Sequence, residues 1–332
     1  MTATLHPTRV DNLLALVVET PRLQLTILPE LGAKVISLID RASGHDHLWR
    51  HPGRPLRLAH YGDAYHHYDL SGWDECFPTI GEVVYPEGPW QGVVVPDHGE
   101  LWSLPWQWDF ADNVLRMWTH SVRFAYTFER RFRFSNAGLI EISYTVHNPT
   151  PFPLKALWSM HPFFNVTPTS QVLLPPGVRV RVELSQHERI GGFLSEHPWP
   201  LTSARNGQEV DLSIMGPRGQ GFMEKLFTTP LAAGWAALYD AADERFLAFT
   251  FDPAQIPFVG ICQIRDGWPT DGEPSYSTIL EPCTGWPDRL DLAMTRGASI
   301  VIPAQGERSW QISLQVGTGR SALAQVIGQE IL

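Results

Sequence analysis

Apolar and polar residues alternate with a period of two along most of this chain. In RLQLTIL, Leu23, Leu25 and Ile27 fall on one face, with Gln24 and Thr26 on the other. In YTFERRFRF, Tyr126, Phe128, Phe132 and Phe134 alternate with Thr127, Glu129, Arg131 and Arg133. After the turn at residues 135–138 (Ser-Asn-Ala-Gly), LIEISYTVHN sets Ile140, Ile142, Tyr144 and Val146 against Glu141, Ser143, Thr145 and His147. Successive side chains on a strand project to opposite faces, so each segment predicts a half-buried strand and the last two predict a hairpin. A second hairpin is predicted over residues 234–251 (GWAALYDAADERFLAFTF), and a last strand in SWQISLQV with Trp310, Ile312, Leu314 and Val316 inward.

The 28 prolines and 27 glycines are spread between these segments and form no linker, and no fixed period repeats. Helical spacing occurs only in SALAQVIGQEI, through Leu323, Val326, Ile327 and Ile331. Many antiparallel strands without alternating helices predict an all-β fold: one large antiparallel β-sandwich over residues 1–332, with a short C-terminal helix. The helix leaves two arrangements open, packing on its own sandwich or on a second copy in a homodimer. The loops at 53–72 and 189–209 are long enough to cover a concave face.

A hydrophobic share of 43% and a charged share of 18% in 332 residues suit a large buried core. The net charge is −10, and no lysine/arginine run can track a phosphate backbone, which argues against nucleic acid as a partner. Three cysteines without paired spacing fit buried thiols in a reducing compartment. There is no basic-then-apolar leader and no membrane-length apolar run, so the expectation is a cytoplasmic protein without a membrane partner. GTGR lacks the rest of a dinucleotide turn, and neither a P-loop nor a Gly-x-Ser-x-Gly elbow is present. His45-Asp46-His47 and His66-His67-Tyr68-Asp69 place imidazoles near carboxylates. Without companion ligands at matching spacing they read as solvated turn histidines, and no metal is expected.

The candidate chemistry lies elsewhere, beside some of the 13 tryptophans. His161, in ALWSMHPFFNV, follows an apolar strand and precedes Pro162, which places it at a strand end or edge. Glu281, in YSTILEPCTGWPD, closes an apolar strand, where a buried carboxylate needs partners or a raised pKa. His98 precedes Gly99, whose flexibility permits a tight backbone path; Asp97 and Glu100 are equally placed to orient its ring. Asp74 and Glu75, in SGWDECFPTI, are placed either to bond hydroxyls or to cap a turn. Carboxylates and imidazoles with aromatic walls suit proton transfer to and from the oxygens of a polyol ring.

Together these segments resemble the aldose 1-epimerase, or galactose mutarotase-like, family of β-sandwich proteins over nearly the whole chain. The resemblance implies that His161, in a His-x-x-Phe-Asn segment with Phe164 and Asn165, is the general acid. It implies that Glu281 is the general base and that His98, in His98-Gly99, contacts the sugar near the ring oxygen. It also implies a sugar substrate and no metal or organic cofactor. The arginine and aspartate that galactose-type members place against the sugar have no match. Where members acting on hexose 6-phosphates carry an arginine shortly after His-Gly, this chain has Trp102, which points to an unphosphorylated aldose. Asp74, Trp73, Trp102, Lys225 and Trp286 are the candidate substrate-binding residues, the three indoles as flat faces and Lys225 as a positive charge.

Aldose mutarotation is therefore the leading expectation. A non-catalytic carbohydrate-binding or sensory module on the same fold is the principal rival, followed by an epimerase of hexose phosphates. A lyase or hydrolase of glycosidic bonds would need a carboxylate pair, and only Asp74 or Glu75 with Glu281 offers one.

Overall fold

The computed structural model describes residues 3–135 and 138–329. Strands dominate it. Among the described residues the two large sheets, antiparallel throughout, have twelve and eight strands. Both predicted hairpins form. Thr127–Phe134 pairs with Leu139–Asn148, and Trp235–Asp240 with Arg245–Phe251. Gly306–Thr318 lies between them and joins the two hairpins into the eight-stranded sheet. The tip of the first hairpin includes Asn136 and Ala137, which lie outside the described residues, as does Ile331 at the chain's end. The C-terminal helix is Arg320–Ile327, and its buried Leu323 packs on Ala237, Tyr239, Phe246 and Ala248 of the chain's own sandwich.

In the middle of the twelve-stranded sheet, Lys34–Asp40, Trp73–Cys76, Ser159–Asn165, Tyr276–Cys283, Phe258–Arg265, Phe222–Thr228 and Arg179–Ser185 run side by side. One face of this sheet meets the eight-stranded sheet. That interface holds Trp73, Trp158, Met160, Phe164, Val259, Ile261 and Leu280 against Phe128, Phe132, Ile142, Tyr144, Trp310 and Ile312. Because successive residues alternate, Asp74, Ser159, His161, Phe163, Ile279, Glu281, Phe258 and Cys262 face the other way, away from the main core. Smaller clusters cover them there.

Among the described residues, the main core contains one charged pair. Arg130 sits in phase with Phe128 and Phe132 on its strand, so the pleat delivers its guanidinium to the interior. Its Nη1 donates to Glu75 Oε1 at 2.8 Å, and both side chains are fully buried. Glu75 also accepts from Trp73 Nε1 at 3.1 Å, Tyr144 OH at 3.0 Å and Trp158 Nε1 at 2.7 Å. Burial pushes the Glu75 carboxyl above its usual range, and Arg130 leads the groups that pull it back. Breaking such a pair strands a charge in a low-dielectric interior. Glu75→Ala is expected to cost about 3–5 kcal/mol in denaturant unfolding. Pairing Glu75→Leu with Arg130→Met should recover much of that loss; a single variant as stable as the parent would contradict this account.

Candidate active site

His161 does not lie at a strand end or edge. It is the third residue of Ser159–Asn165, an interior strand with Trp73–Cys76 on one side and Tyr276–Cys283 on the other. On one side it pairs with Asp74. On the other, the register that pairs Ser159 with Cys283 and Phe163 with Ile279 sets His161 opposite Glu281. Between those two pairs the ladder is interrupted, with Pro162 on one strand and Pro282 on the other, neither carrying an N–H. Three adjacent strands thus bring Asp74, His161 and Glu281 into one row on the outer face.

His161 Nε2 lies 3.8 Å from Glu281 Oε1. Glu281 is completely buried, and Oε1 has no hydrogen-bond partner among the described residues. Oε2 faces Lys225 Nζ at 3.3 Å and accepts from Ser159 Oγ at 3.4 Å. Across from Glu281 stands Gly260, where a Cβ would lie 3.1 Å from both the Glu281 Cβ and Oε2. The missing side chain leaves room for the carboxylate. Lys225 Nζ also contacts Asp288 Oδ1 at 2.8 Å. Beside it, a register shift between Val182 and Leu184 marks Glu183, whose carboxyl is pushed up to about 8 by burial and by Asp288.

Burial raises the Glu281 carboxyl above its ordinary range, with Lys225 opposing. Burial likewise lowers the His161 imidazole well below its ordinary range, and the charges of His98, Lys225 and Lys34 add to this. Lys225 itself is held well above its usual value, because the attraction of Asp288 and Glu281 outweighs burial.

The other flank of the row is a second buried ion cluster. Lys34 Nζ donates to both oxygens of Asp69, at 2.8 and 2.7 Å, and lies 3.2 Å from Asp74 Oδ2. Tyr65 OH donates to the same Asp74 oxygen at 2.9 Å and lies 3.4 Å from His161 Nδ1.

His98 reaches the site from a loop that only glycine can complete. Gly99 has φ +73°, and a Cβ there would lie 2.2 Å from the Phe77 carbonyl oxygen. His98 itself has φ 62°. Its ring stacks on Tyr65, with centroids 3.7 Å apart and planes at 13°, and meets His161 edge-on at 4.7 Å. Of the two acids proposed to orient it, Asp97 is the neighbour, with Oδ2 3.1 Å from Nδ1. Glu100 instead bonds Ser121 Oγ at 2.5 Å and the Arg123 backbone at 3.1 Å.

The structure brings together His161, Glu281, His98, Asp74 and Lys225, and leaves the three indoles out. Trp73 faces the main core against Phe132, because its neighbour Asp74 takes the outer face. Trp102 is 1% exposed, donates to the Asp97 carbonyl at 3.1 Å and packs edge-on against Tyr65, so it supports the loops and offers no open face. Trp286 packs on Phe227 and Phe258, with the Arg181 and Arg296 guanidiniums over its ring. His47 is also not a solvated turn residue: it is buried, and its ring is pushed down to about 3. His66 and His67 are exposed as expected, and no metal-binding cluster occurs among the described residues. The sequence reading missed Tyr65, Asp288 and Glu183. Tyr65 and Asp288 come from loops without periodicity, and the shift beside Glu183 leaves no mark in its alternating segment.

Solved structures resemble this chain over most of its length. The chain superposes on a candidate aldose 1-epimerase from Klebsiella pneumoniae subsp. pneumoniae MGH 78578 with a TM-score of 0.71 and 13% identity, covering 95% of this chain and 82% of that one. It matches a galactose mutarotase related enzyme from Lactobacillus acidophilus at TM-score 0.65 and 14% identity, over 92% and 97% of the two chains. A candidate aldose 1-epimerase from Escherichia coli K12 gives 0.65 and 17%, over 96% and 100%. The fold is galactose mutarotase-like. At these identities the likeness is one of fold, and no family model and no curated protein matches the sequence. Within this galactose mutarotase-like fold, among the described residues, no helix is long and apolar enough to cross a membrane.

Lys225 is the cation nearest Glu281 and the main group opposing desolvation there, so its removal takes away most of that opposition. Lys225→Met is expected to raise the Glu281 pKa further, read as an upward shift of its carboxylate infrared titration, assigned by difference from Glu281→Gln. A midpoint that stays or falls would contradict the assigned role of Lys225.

Proposed function

We propose that the chain is an aldose 1-epimerase that interconverts the anomers of a free sugar. The observation that carries this reading is the side-by-side placement of His161 Nε2 and Glu281 Oε1, 3.8 Å apart on adjacent strands. The anomeric hydroxyl and the ring oxygen of a pyranose are bonded to the same carbon. One neighbouring acid–base pair therefore serves both atoms, without needing to flank the ring from opposite sides.

In this reading Glu281 takes the proton of the anomeric hydroxyl, and protonated His161 gives one from Nε2 to the ring oxygen. The ring C–O bond breaks as the carbonyl forms, C1 turns about its bond to C2, and the reverse transfers close the other anomer. Proton count and oxidation state are unchanged, so side chains suffice. Lys225 holds one oxygen of Glu281 and leaves Oε1 for the substrate. His98 is the second imidazole available to the ring oxygen, and Asp74 lies behind His161.

The groups around Lys225 also bear on substrate. Asp288 and Glu281 crowd this single ammonium, and Asp97 stands by His98. Carboxylates accept hydrogen bonds from sugar hydroxyls and repel phosphate, which favours a neutral aldose over a hexose phosphate. A glycosidase reading loses one of its two carboxylate pairs, because Glu75 belongs to the main core.

Glu281→Gln should keep the fold and lower anomer exchange by about 10²–10⁴-fold, measured by proton NMR exchange across a panel of free aldoses. Unchanged exchange for every sugar that binds would overturn the assignment. The pH profile is a second test. Glu281 must be ionised, so kcat/KM falls as pH drops through its raised pKa. His161 must be protonated, so kcat/KM also falls as pH rises through its lowered pKa. Burial moves these two limbs toward each other, and a narrow bell is expected; a plateau wider than the roughly two units between unshifted Glu (about 4.3) and His (about 6.5) would contradict it.

A further inference from the structure

Tyr65 is almost fully buried, yet it reaches the site from the long covering loop and nothing in the scheme above uses it. Its hydroxyl has one proton and two polar neighbours. Asp74 Oδ2 takes that proton at 2.9 Å, and because Lys34 Nζ approaches the same oxygen at 3.2 Å, Oδ2 is the accepting atom. The remaining contact, 3.4 Å to His161 Nδ1, then has Nδ1–H as donor and the tyrosine oxygen as acceptor. The two ring nitrogens of His161 thus have separate duties. Nδ1 points back to Tyr65, and Nε2 points to Glu281.

We propose that Tyr65 is the positioning residue of His161: its hydroxyl links Asp74 to Nδ1–H, fixes the ring tautomer and keeps Nε2 directed to the reacting oxygens. This inference rests on the mutarotase reading for its kinetic consequence, but the tautomer itself is a property of the resting protein. A histidine's working nitrogen is commonly set by the hydrogen bond its other nitrogen makes. The loop that carries Tyr65 is well secured. Arg54 donates to the His66 carbonyl at 2.6 Å and pairs with Asp271 of a neighbouring loop, while Arg57 donates to the His67 carbonyl at 2.7 Å. The ring of Tyr65 is clamped between the His98 stack and the edge of Trp102.

The role has a pH signature. The charged and titratable groups facing His161 are Glu281 on one adjacent strand and Asp74 on the other, with Tyr65 and His98 from the covering loops; Lys34 and Lys225 act from further off. Of these, Tyr65 accepts a hydrogen bond from the ring and so favours its protonated form. Removing the acceptor lowers the His161 pKa, and the alkaline limb, which marks loss of imidazolium, moves to lower pH.

The test is Tyr65→Phe, which keeps the ring and its stack and removes only the hydroxyl. In the unliganded parent, nitrogen NMR of His161, assigned through its loss in His161→Asn, should show the Nδ1–H tautomer. In Tyr65→Phe the Nε2–H form should gain population, kcat should fall on the order of tenfold with KM little changed, and the alkaline limb should shift downward. An Nε2–H tautomer in the parent, or a variant with unaltered tautomer and alkaline limb, would overturn the proposal. If no aldose is turned over by the parent, the ring-nitrogen spectra still decide the role of Tyr65, and the mutarotase reading alone fails.

Discussion

A pleated strand must send neighbouring side chains to opposite faces, and the molecule is organised by that constraint. Its interior sheet has one face for bulk and one for chemistry. Trp73 and Glu75 go to the first and Asp74 to the second, within three consecutive residues. Met160 and His161, or Leu280 and Glu281, are divided in the same way. Cross-strand register then lines up the outward residues of adjacent strands, so a row of titratable groups is assembled without any one segment containing it.

Three buried cations gather the acids nearest this row. Arg130 serves Glu75 in the core, Lys34 serves Asp69 and Asp74, and Lys225 serves Glu281 and Asp288. The core cluster is balanced and its carboxylate is saturated with donors, as a structural pair should be. The two outer clusters each hold more carboxylate than cation. Desolvation displaces Asp74 and Glu281 upward in pKa, as it does Glu75 in the core. Such excess is costly in a purely structural cluster and useful where a proton is to be exchanged.

Much of this was legible in the chain. The hairpins, the last strand and the inward residues follow from alternation alone, and the C-terminal helix from its spacing. His161, Glu281, His98 and Asp74, all candidates from the sequence, lie beside one another, although the edge position expected for His161 fails because a proline is tolerated where the ladder is interrupted. Arg130 could have been read as buried, since it continues the phase of Phe128 and Phe132. Trp73 misled for a related reason: an indole beside an outward carboxylate on a strand belongs to the core, whereas Trp102 and Trp286 lie outside the strands and pack among neighbouring side chains. Tyr65 could not be found, because a loop residue's position depends on the tertiary course of the loop and not on any local period.

The interruption of the ladder between the His161 and Glu281 strands has a mechanical meaning. Elsewhere the two backbones are tied by amide hydrogen bonds, but beside Pro162 and Pro282 two of those ties are chemically unavailable. His161 and Glu281 are therefore mounted on a compliant seam within an otherwise stiff sheet. In the proposed mutarotase reading, their separation follows the two oxygens as these part during ring opening, and no backbone bond needs to stretch.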